Sequence, residues 1–265
     1  MLELGELLRE PLFPVLALAF GLLIGSFANV CIYRIPAGRS IVTPRSACPR
    51  CGREIAWYDN LPVLSYAWLF GRCRHCRSPI SLRYPAVEAA NGLVYLSIAL
   101  TWGATPRSFA AMAFATALLV LALIDLDHQI LPDVITLPGT ALALLASGLP
   151  GGPRPLDSLL SAAGGFLVFA AIAEAWRRGR GVEALGQGDW KMAAMLGAFL
   201  GGQRLLLTVF LATLAGSLVG LGLILARRGD SQSKLPLGTF LGFSGIVVLL
   251  FGDPALRWYQ GFFDV

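Results

Sequence analysis

The sequence predicts an all-α polytopic membrane protein with about eight transmembrane helices and one small polar insert. Of its 265 residues, 56% are hydrophobic and only 14% are charged, and the mean hydropathy is +0.68. Soluble domains usually carry about 25% charged residues. Uncharged apolar runs of about 20 residues, the length that crosses a bilayer as a helix, recur along the chain.

Eight apolar segments can be distinguished, and we interpret each as a membrane helix. The first follows "MLELGELLREP", in which three Glu and one Arg have the wrong charge for a secretory signal, so a retained helix is expected. Segments 130–149 and 190–202 are short or interrupted by Pro and Gly, which is tolerated where a helix lines protein or a wet cavity. The eight segments are 12–33, 85–104, 109–125, 130–149, 158–176, 190–202, 204–226 and 237–251.

The distribution of positive charge predicts how these segments are oriented. Nine Arg lie between residues 34 and 83. Lys and Arg concentrate on the cytoplasmic side of membrane proteins. With that stretch in the cytoplasm, sixteen Lys and Arg lie on the cytoplasmic side and five on the other, and both termini lie outside. This asymmetry accounts for the net charge of +5, which therefore indicates no nucleic-acid partner.

The polar insert between the first two segments contains two CxxC motifs. Cys48 and Cys51 are separated by 21 residues from Cys73 and Cys76. Each motif directs two thiolates at one metal, and two motifs complete a tetrahedral Cys₄ zinc site that supplies folding energy to a small insert. Disulfides or redox-active pairs are the alternative, but they are rare in a reducing cytoplasm. His75, inside the second motif, is expected to stay outside the ligand set.

Two acidic residues stand at the ends of apolar segments. Asp125 ends the third segment, and Asp189, 64 residues later, opens the short sixth segment. The predicted topology places both at the same membrane face and depth, where ionisable residues are costly and usually functional. Two neighbouring carboxylates share a proton, so the charged one activates water while the protonated one hydrogen-bonds a scissile carbonyl. This pattern predicts aspartic-protease chemistry.

Spacing alone does not settle which acid is the partner of Asp189. Asp127 points about 200° away from Asp125 around a helix, so both cannot face one partner. Asp133 follows Pro132, and an N-cap role is the ordinary explanation for it. We favour Asp125 over these two.

Further residues near the acids carry open interpretations. Gly186 and Gly188 are predicted to allow close backbone approach and unusual backbone angles. Lys191 either biases which carboxylate holds the proton or faces headgroups. Glu88 and Glu183 either attract a basic peptide or serve as structural partners for Arg.

Several stretches resemble those of one family, the bacterial type IV prepilin peptidases. "GSFANVCIYRIP" resembles the first-helix signature of that family. "CPRCGREIAWYDNLPVLSY" and "GRCRHCRSPISLRYPAVEAANG" resemble its zinc-binding insert. "IDLDHQILPDVITLP" and "GQGDWKMAAMLGAFLG" resemble its two aspartate motifs.

The resemblance implies an eight-span aspartic endopeptidase of the bacterial inner membrane. Such an enzyme cuts the short basic leader from prepilins and pseudopilins after a glycine, on the cytoplasmic side. By motif position, Asp125 and Asp189 match the catalytic pair, and the four cysteines match the zinc ligands. Many members also methylate the new N-terminal residue with S-adenosylmethionine. No glycine-rich nucleotide loop marks a site for that cofactor, so methylation follows from the resemblance alone.

The predicted organisation has three parts. Residues 1–35 form the first transmembrane helix, residues 36–84 form the cytoplasmic Cys₄ zinc insert associated with methyl transfer, and residues 85–265 form the peptidase core.

Three alternatives use the same residues differently. A related GxGD protease, similar to presenilins, would lack both the insert and "GSFANV". A proton- or ion-coupled transporter, or an assembly scaffold, would use the acids for ions, but no inverted repeat of segments supports transport. A metalloenzyme centred on four Cys would have no open coordination position.

Overall fold

The structure, a computed structural model, describes residues 12–181, 185–226 and 235–261. The regular secondary structure of these residues is helical. The described residues contain two isolated bridges and no strand, which confirms the predicted all-α class. A 3₁₀ turn covers Trp57–Asn60. The α-helices of the described part are α1 (Leu12–Arg34), α2 (Leu64–Trp68), α3 (Arg83–Trp102), α4 (Pro106–His128), α5 (Asp133–Ala146), α6 (Pro155–Arg180), α7 (Gln187–Leu200), α8 (Gly202–Leu225) and α9 (Leu237–Gln260).

The helices other than α2 coincide with the eight predicted apolar segments. Five of them, α1, α4, α6, α8 and α9, are long and apolar enough to cross a membrane, so the protein is a multi-pass membrane protein. The two segments predicted to be short are the 14-residue helices α5 and α7, and Pro138 lies inside α5. The total of eight spans stays a prediction.

The chain divides into two compact units, and the division falls within α4, between Thr116 and Ala117. In the first unit, α1 packs along α3. A Cβ at Gly21 would lie only 2.8 Å from the Tyr95 side chain, so the two helices approach closely there. Buried Asn91 donates a 2.8 Å hydrogen bond to the Gly21 carbonyl, and this bond satisfies a polar group inside the helix pair.

The second unit is organised around α7. Met192 and every following residue to Leu200 are buried, and α7 packs against α5, α6, α8 and α9. A Cβ at Gly165 would lie 2.9 Å from the Ala193 carbonyl, and one at Gly197 would clash with the Ser161 backbone. Small residues thus hold the backbones of α6 and α7 together, and this packing positions the N-terminal end of α7, which carries Asp189.

The buried stretch in the C-terminal half of α4 ends at an acidic residue, Asp125. Leu118, Leu121 and Ile124 are fully buried in the second unit. Asp125 continues the same buried stretch and is only 5% exposed, whereas residues 126–130 are exposed. A buried carboxylate requires hydrogen-bond partners, so its surroundings indicate a dedicated site.

Candidate active site and metal cluster

The Asp125 carboxylate is held by the N-terminal end of α9. Its Oδ2 atom accepts a 2.7 Å hydrogen bond from the backbone N–H of Thr239, and the Thr239 hydroxyl lies 3.2 Å from the same oxygen. The first N–H groups of a helix have no partner inside the helix, and the helix dipole favours negative charge there. Because a Cβ at Gly238 would lie 3.0 Å from Asp125 Cγ, glycine permits this close approach.

The Asp189 carboxylate lies at another helix N-terminus. Asp189 is the third residue of α7, and its Oδ2 accepts a 3.0 Å hydrogen bond from the Gly186 N–H at the N-cap. This is one half of a capping box. Asp189 is partly buried, in contrast to the exposed Asp127 and Asp133.

The fold brings the two carboxylates into one neighbourhood of the second unit. Gly238 lies beside the Asp125 carboxylate, where a Cβ would be 3.0 Å from Asp125 Cγ. The Leu131 side chain packs on both flanks: a Cβ at Gly188 would lie 2.7 Å from Leu131 Cβ, and one at Gly238 would lie 2.8 Å from Leu131 Cδ1. Three segments far apart in sequence therefore meet beside the two acids.

The other candidate acids have separate positions. Asp133 binds Lys191, whose ammonium lies 2.7 Å from both carboxylate oxygens. Lys191 therefore pairs across α5 and α7, an outcome that neither interpretation from the sequence anticipated. The N-cap of α5 is Pro132, and Asp133 is the first helical residue, so the N-cap interpretation of Asp133 is wrong.

The two glycines before Asp189 differ. Gly188 allows a close approach, as predicted, because a side chain there would collide with Leu131. The prediction of unusual backbone angles is wrong for Gly186, whose φ of −73° and ψ of 152° suit any residue. At Gly186 a Cβ would meet only Asp189 Oδ2, at 3.5 Å.

The residues that hold Asp125 were not anticipated from the sequence. Gly238 and Thr239 open the last apolar segment, and their contact spans 114 residues. The only signal was the Gly-Thr pair at the start of a helix, a position where an N–H is available.

The four cysteines of the insert form one cluster. Their Sγ atoms all lie within 4.8 Å of one another, and Cys48 Sγ is 3.8 Å from Cys76 Sγ. In a tetrahedral site with Zn–S bonds of about 2.3 Å, neighbouring sulfurs are roughly 3.8 Å apart. The geometry of these thiols therefore fits a zinc ion. Backbone N–H groups of Cys51 and Arg50 lower the pKa of Cys48 to about 6, which favours the thiolate that binds metal.

Two matching turns build the cluster. After the first CxxC motif the chain turns at Gly52, and a bridge joins Ala47 to Glu54. After the second, the chain turns at Arg77, and a bridge joins Arg72 to Pro79. Gly52 and Arg77 occupy equivalent positions and both have positive φ, 70° and 58°.

The remaining candidates from the sequence are placed as follows. His75 Nδ1 lies 3.1 Å from the Arg53 guanidinium. Glu88 is buried and accepts the N–H of Val63 at 2.8 Å, so it supports a backbone turn rather than an Arg. Glu183 lies outside the described residues.

Fold and site together define a multi-pass membrane protein with a pair of acids at helix ends and a separate four-thiol cluster. Residues 19–102 match the Bacterial Peptidase A24 N-terminal domain, and residues 112–221 match the Type IV leader peptidase family. The chain belongs to the type IV leader peptidase family, so the resemblance in its motifs is confirmed. Membership of this family argues against the transporter or scaffold interpretation.

Curated relatives match the chain over most of its length. A protein of Aeromonas hydrophila named prepilin leader peptidase/N-methyltransferase is 37% identical and is matched over 97% of its length and 98% of this chain. A protein of the same name from Pseudomonas aeruginosa is 36% identical over 98% of each chain. Another, from Myxococcus xanthus, is 45% identical over 86% of this chain and 70% of its own. No solved structure matches the chain.

Proposed function

We propose that this protein is a prepilin leader peptidase/N-methyltransferase of the bacterial cytoplasmic membrane, with Asp125 and Asp189 as its hydrolytic pair. It cuts the basic leader from prepilins and pseudopilins after a glycine and then methylates the new N-terminus. The placement of these two carboxylates at two helix N-termini that both pack on Leu131, in a chain whose relatives carry that name, supports the proposal most directly.

In this proposal Asp125 is the base and Asp189 the acid. Asp125 Oδ2 accepts the Thr239 N–H at 2.7 Å and lies 3.2 Å from the Thr239 hydroxyl, whereas Asp189 Oδ2 accepts the Gly186 N–H at 3.0 Å, so the negative charge is better stabilised on Asp125. Water attacks the scissile carbonyl carbon while its proton passes to Asp125 Oδ1, and the Asp189 proton passes to the carbonyl oxygen. Collapse of the tetrahedral intermediate breaks the C–N bond: the leaving amine takes the proton held by Asp125, and one hydroxyl of the intermediate returns its proton to Asp189.

The proposed orientation directs both sites to the cytoplasm. The nine Arg between residues 34 and 83 favour the cytoplasmic side, and eight spans return the ends of α4 and α7 to that side. A prepilin with its apolar helix in the bilayer then presents the basic leader and the scissile bond near the two acids.

The proposed metal is a structural zinc ion held by Cys48, Cys51, Cys73 and Cys76. Four thiolates leave no open position, so the ion supplies cross-linking rather than catalysis. S-adenosylmethionine would supply the methyl group, and the new N-terminal amine would lose a proton as it accepts that group. We assign this activity to the cytoplasmic insert at 36–84.

Cleavage of a purified prepilin tests the proposal. Wild type, Asp125→Asn and Asp189→Asn are compared, with Asp127→Asn as a control because Asp127 is exposed outside the pair. The first two variants should lose cleavage while remaining folded, and the control should retain it. With S-adenosylmethionine added, the wild-type product should gain one methyl group by mass. Cleavage by either Asn variant near the wild-type rate refutes that residue's assignment, and a wild type that cuts no prepilin refutes the function.

A further inference from the structure

An apolar surface faces outward on the polar insert. Leu64 and Trp68, one turn apart on α2, are 68% and 80% exposed, so they share one face of the helix. Leu61, just before α2, is 43% exposed, and Phe70, just after it, is 87% exposed. We call these four residues the α2 face. Exposed apolar side chains on the long helices face lipid, but α2 lies in the insert, where that explanation does not apply directly.

Hydrogen bonds fix the α2 face outward. Ser65, beside this face, is buried, and its hydroxyl donates to the Tyr58 carbonyl at 2.9 Å and accepts the Leu61 N–H at 3.1 Å. Tyr66 donates its hydroxyl to the Ile80 carbonyl at 3.3 Å. The hydroxyls of Ser65 and Tyr66 are therefore bonded within the insert, while Leu64 and Trp68 stay exposed.

Strained backbone brackets α2 on both sides. Val63 has a φ of 61°, and the Leu64 N–H donates to the Pro62 carbonyl at 2.6 Å, which closes the rare and strained form of three-residue turn. The buried Glu88 carboxylate holds this turn by accepting the Val63 N–H. Strain of this kind persists only where the surrounding structure enforces it, and it concentrates at functional positions.

Phe70 follows the helix in a conformation that glycine normally supplies. Its φ is 53°, at the left-handed position that ends many helices, and the next N–H, that of Gly71, donates to the Tyr66 carbonyl. A bulky aromatic residue here is strained and at the same time almost fully exposed. Packing within the insert does not explain it, so its outward position indicates a partner.

The charge of the insert indicates which partner. Residues 36–84 carry eight Arg against one Asp and one Glu. The insert starts two residues after α1, a candidate membrane span, so it begins at a membrane surface. Trp at the headgroup level and Arg near anionic lipids are the usual contacts at such a surface. We propose that the α2 face rests in the headgroup region of an anionic bilayer and anchors the insert to the membrane.

Quenching of Trp fluorescence in lipid nanodiscs tests this anchor on the full-length protein. Trp68→Phe and Trp57→Phe are compared with wild type, because Trp57 is equally exposed, at 80%, but lies outside the α2 face. The difference in emission between wild type and each variant gives the emission of Trp68 or of Trp57. Lipids brominated near the headgroup should quench the Trp68 emission at least about twofold more than the Trp57 emission. Aqueous acrylamide should give the opposite order. Replacing anionic with zwitterionic lipid should reduce the lipid quenching of Trp68.

Phe70→Gly provides a second measurement that does not depend on Trp68 being replaced. Glycine relieves the positive φ, so the variant should unfold at a higher temperature in detergent, yet lipid quenching of Trp68 should fall. A loss of folding would instead lower the unfolding temperature. Unchanged quenching in this variant would remove Phe70 from the anchor.

Two results would overturn the anchor. One is a Trp68 component that acrylamide quenches and brominated lipid does not. The other is a Trp68 component shielded from acrylamide only after a prepilin is added, because the face would then bind substrate instead of lipid. Neither measurement uses turnover, so failure of the anchor is distinguishable from failure of the proposed peptidase.

Discussion

The cysteine cluster and the acid pair are built in opposite ways. Each half of the cluster is a short turn closed by its own bridge, Ala47 to Glu54 and Arg72 to Pro79. In the acid pair only Asp189 is capped locally, by Gly186, whereas Asp125 depends on Thr239, 114 residues away in the second unit. A locally built site is specified by spacing, whereas a site built from helix ends depends on the packing of the whole unit.

The largest expected effect is on the cleavage rate, and it should leave the cysteine cluster unchanged. Asp189→Asn should lower the cleavage rate by about 10²- to 10⁴-fold, the usual contribution of general acid–base catalysis, with no loss of bound zinc. Single-turnover cleavage and elemental analysis of the same sample measure the two quantities. Loss of zinc in this variant would show that the sites are coupled and would end the comparison.

Removing a zinc ligand should have the reverse effect. Cys73→Ser should abolish stoichiometric zinc and destabilise the insert, because a small insert depends on its metal to fold. Cleavage should stay within about threefold of wild type, since the acid site has its contacts in the other unit. Elemental analysis and limited proteolysis at residues 36–84 are the measurements, with Cys31→Ser as the control because Cys31 lies in α1, outside the cluster.

A methyl group at Gly238 should disturb the acid site by displacing Asp125. Its Cβ would lie 2.8 Å from Leu131 Cδ1 and 3.0 Å from Asp125 Cγ, so both side chains must shift; because a misplacement of about 1 Å can cost about a hundredfold, we expect a rate loss of roughly tenfold. Gly186→Ala is the matched control, because Gly186 has ordinary backbone angles and room for a Cβ. Equal losses in the two variants would refute a specific role for the α9 end.

The hydroxyl of Thr239 should contribute less. Thr239→Val keeps the backbone N–H but removes a hydroxyl that lies 3.2 Å from Asp125 Oδ2 and 3.0 Å from the Ala122 carbonyl. The loss of one such hydrogen bond costs about 1 kcal/mol, or roughly fivefold in rate. Thr239→Ser should restore most of the cleavage rate, and an inactive Ser variant would contradict the hydrogen-bonding role.

The smallest effect concerns the two turns of the cluster. Arg77 holds a positive φ where the matching turn has Gly52, so Arg77→Gly should raise the stability of the zinc-bound insert by about 1 kcal/mol. Gly52→Arg should lower it by a similar amount. Chemical unfolding followed by zinc release measures both, and a destabilised Arg77→Gly variant would show that this side chain has a binding role.

The same difference between local and long-range contacts decides which features could be predicted from the sequence. The helices and the clustering of the four cysteines were predictable, because periodicity and spacing are local, whereas the roles of the four cysteines as zinc ligands and of Asp125 as a catalytic acid stay predictions. The partners of Asp125 and Lys191 were not, because contacts over 114 and 58 residues depend on how helix ends meet. Gly186 is a local prediction that was wrong, because a glycine in a motif need not have unusual backbone angles.

The burial of α7 restricts how an extended peptide can reach the acids. Met192 to Leu200 are enclosed on all sides, and the contacts of Gly165 and Gly197 leave no space in which α7 could rotate or slide against α6. In the proposed mechanism we therefore expect Asp189 to keep its position when a peptide binds. Asp125 is held by α9 through Thr239, so a displacement of α9 that admitted the peptide would change the surroundings of Asp125.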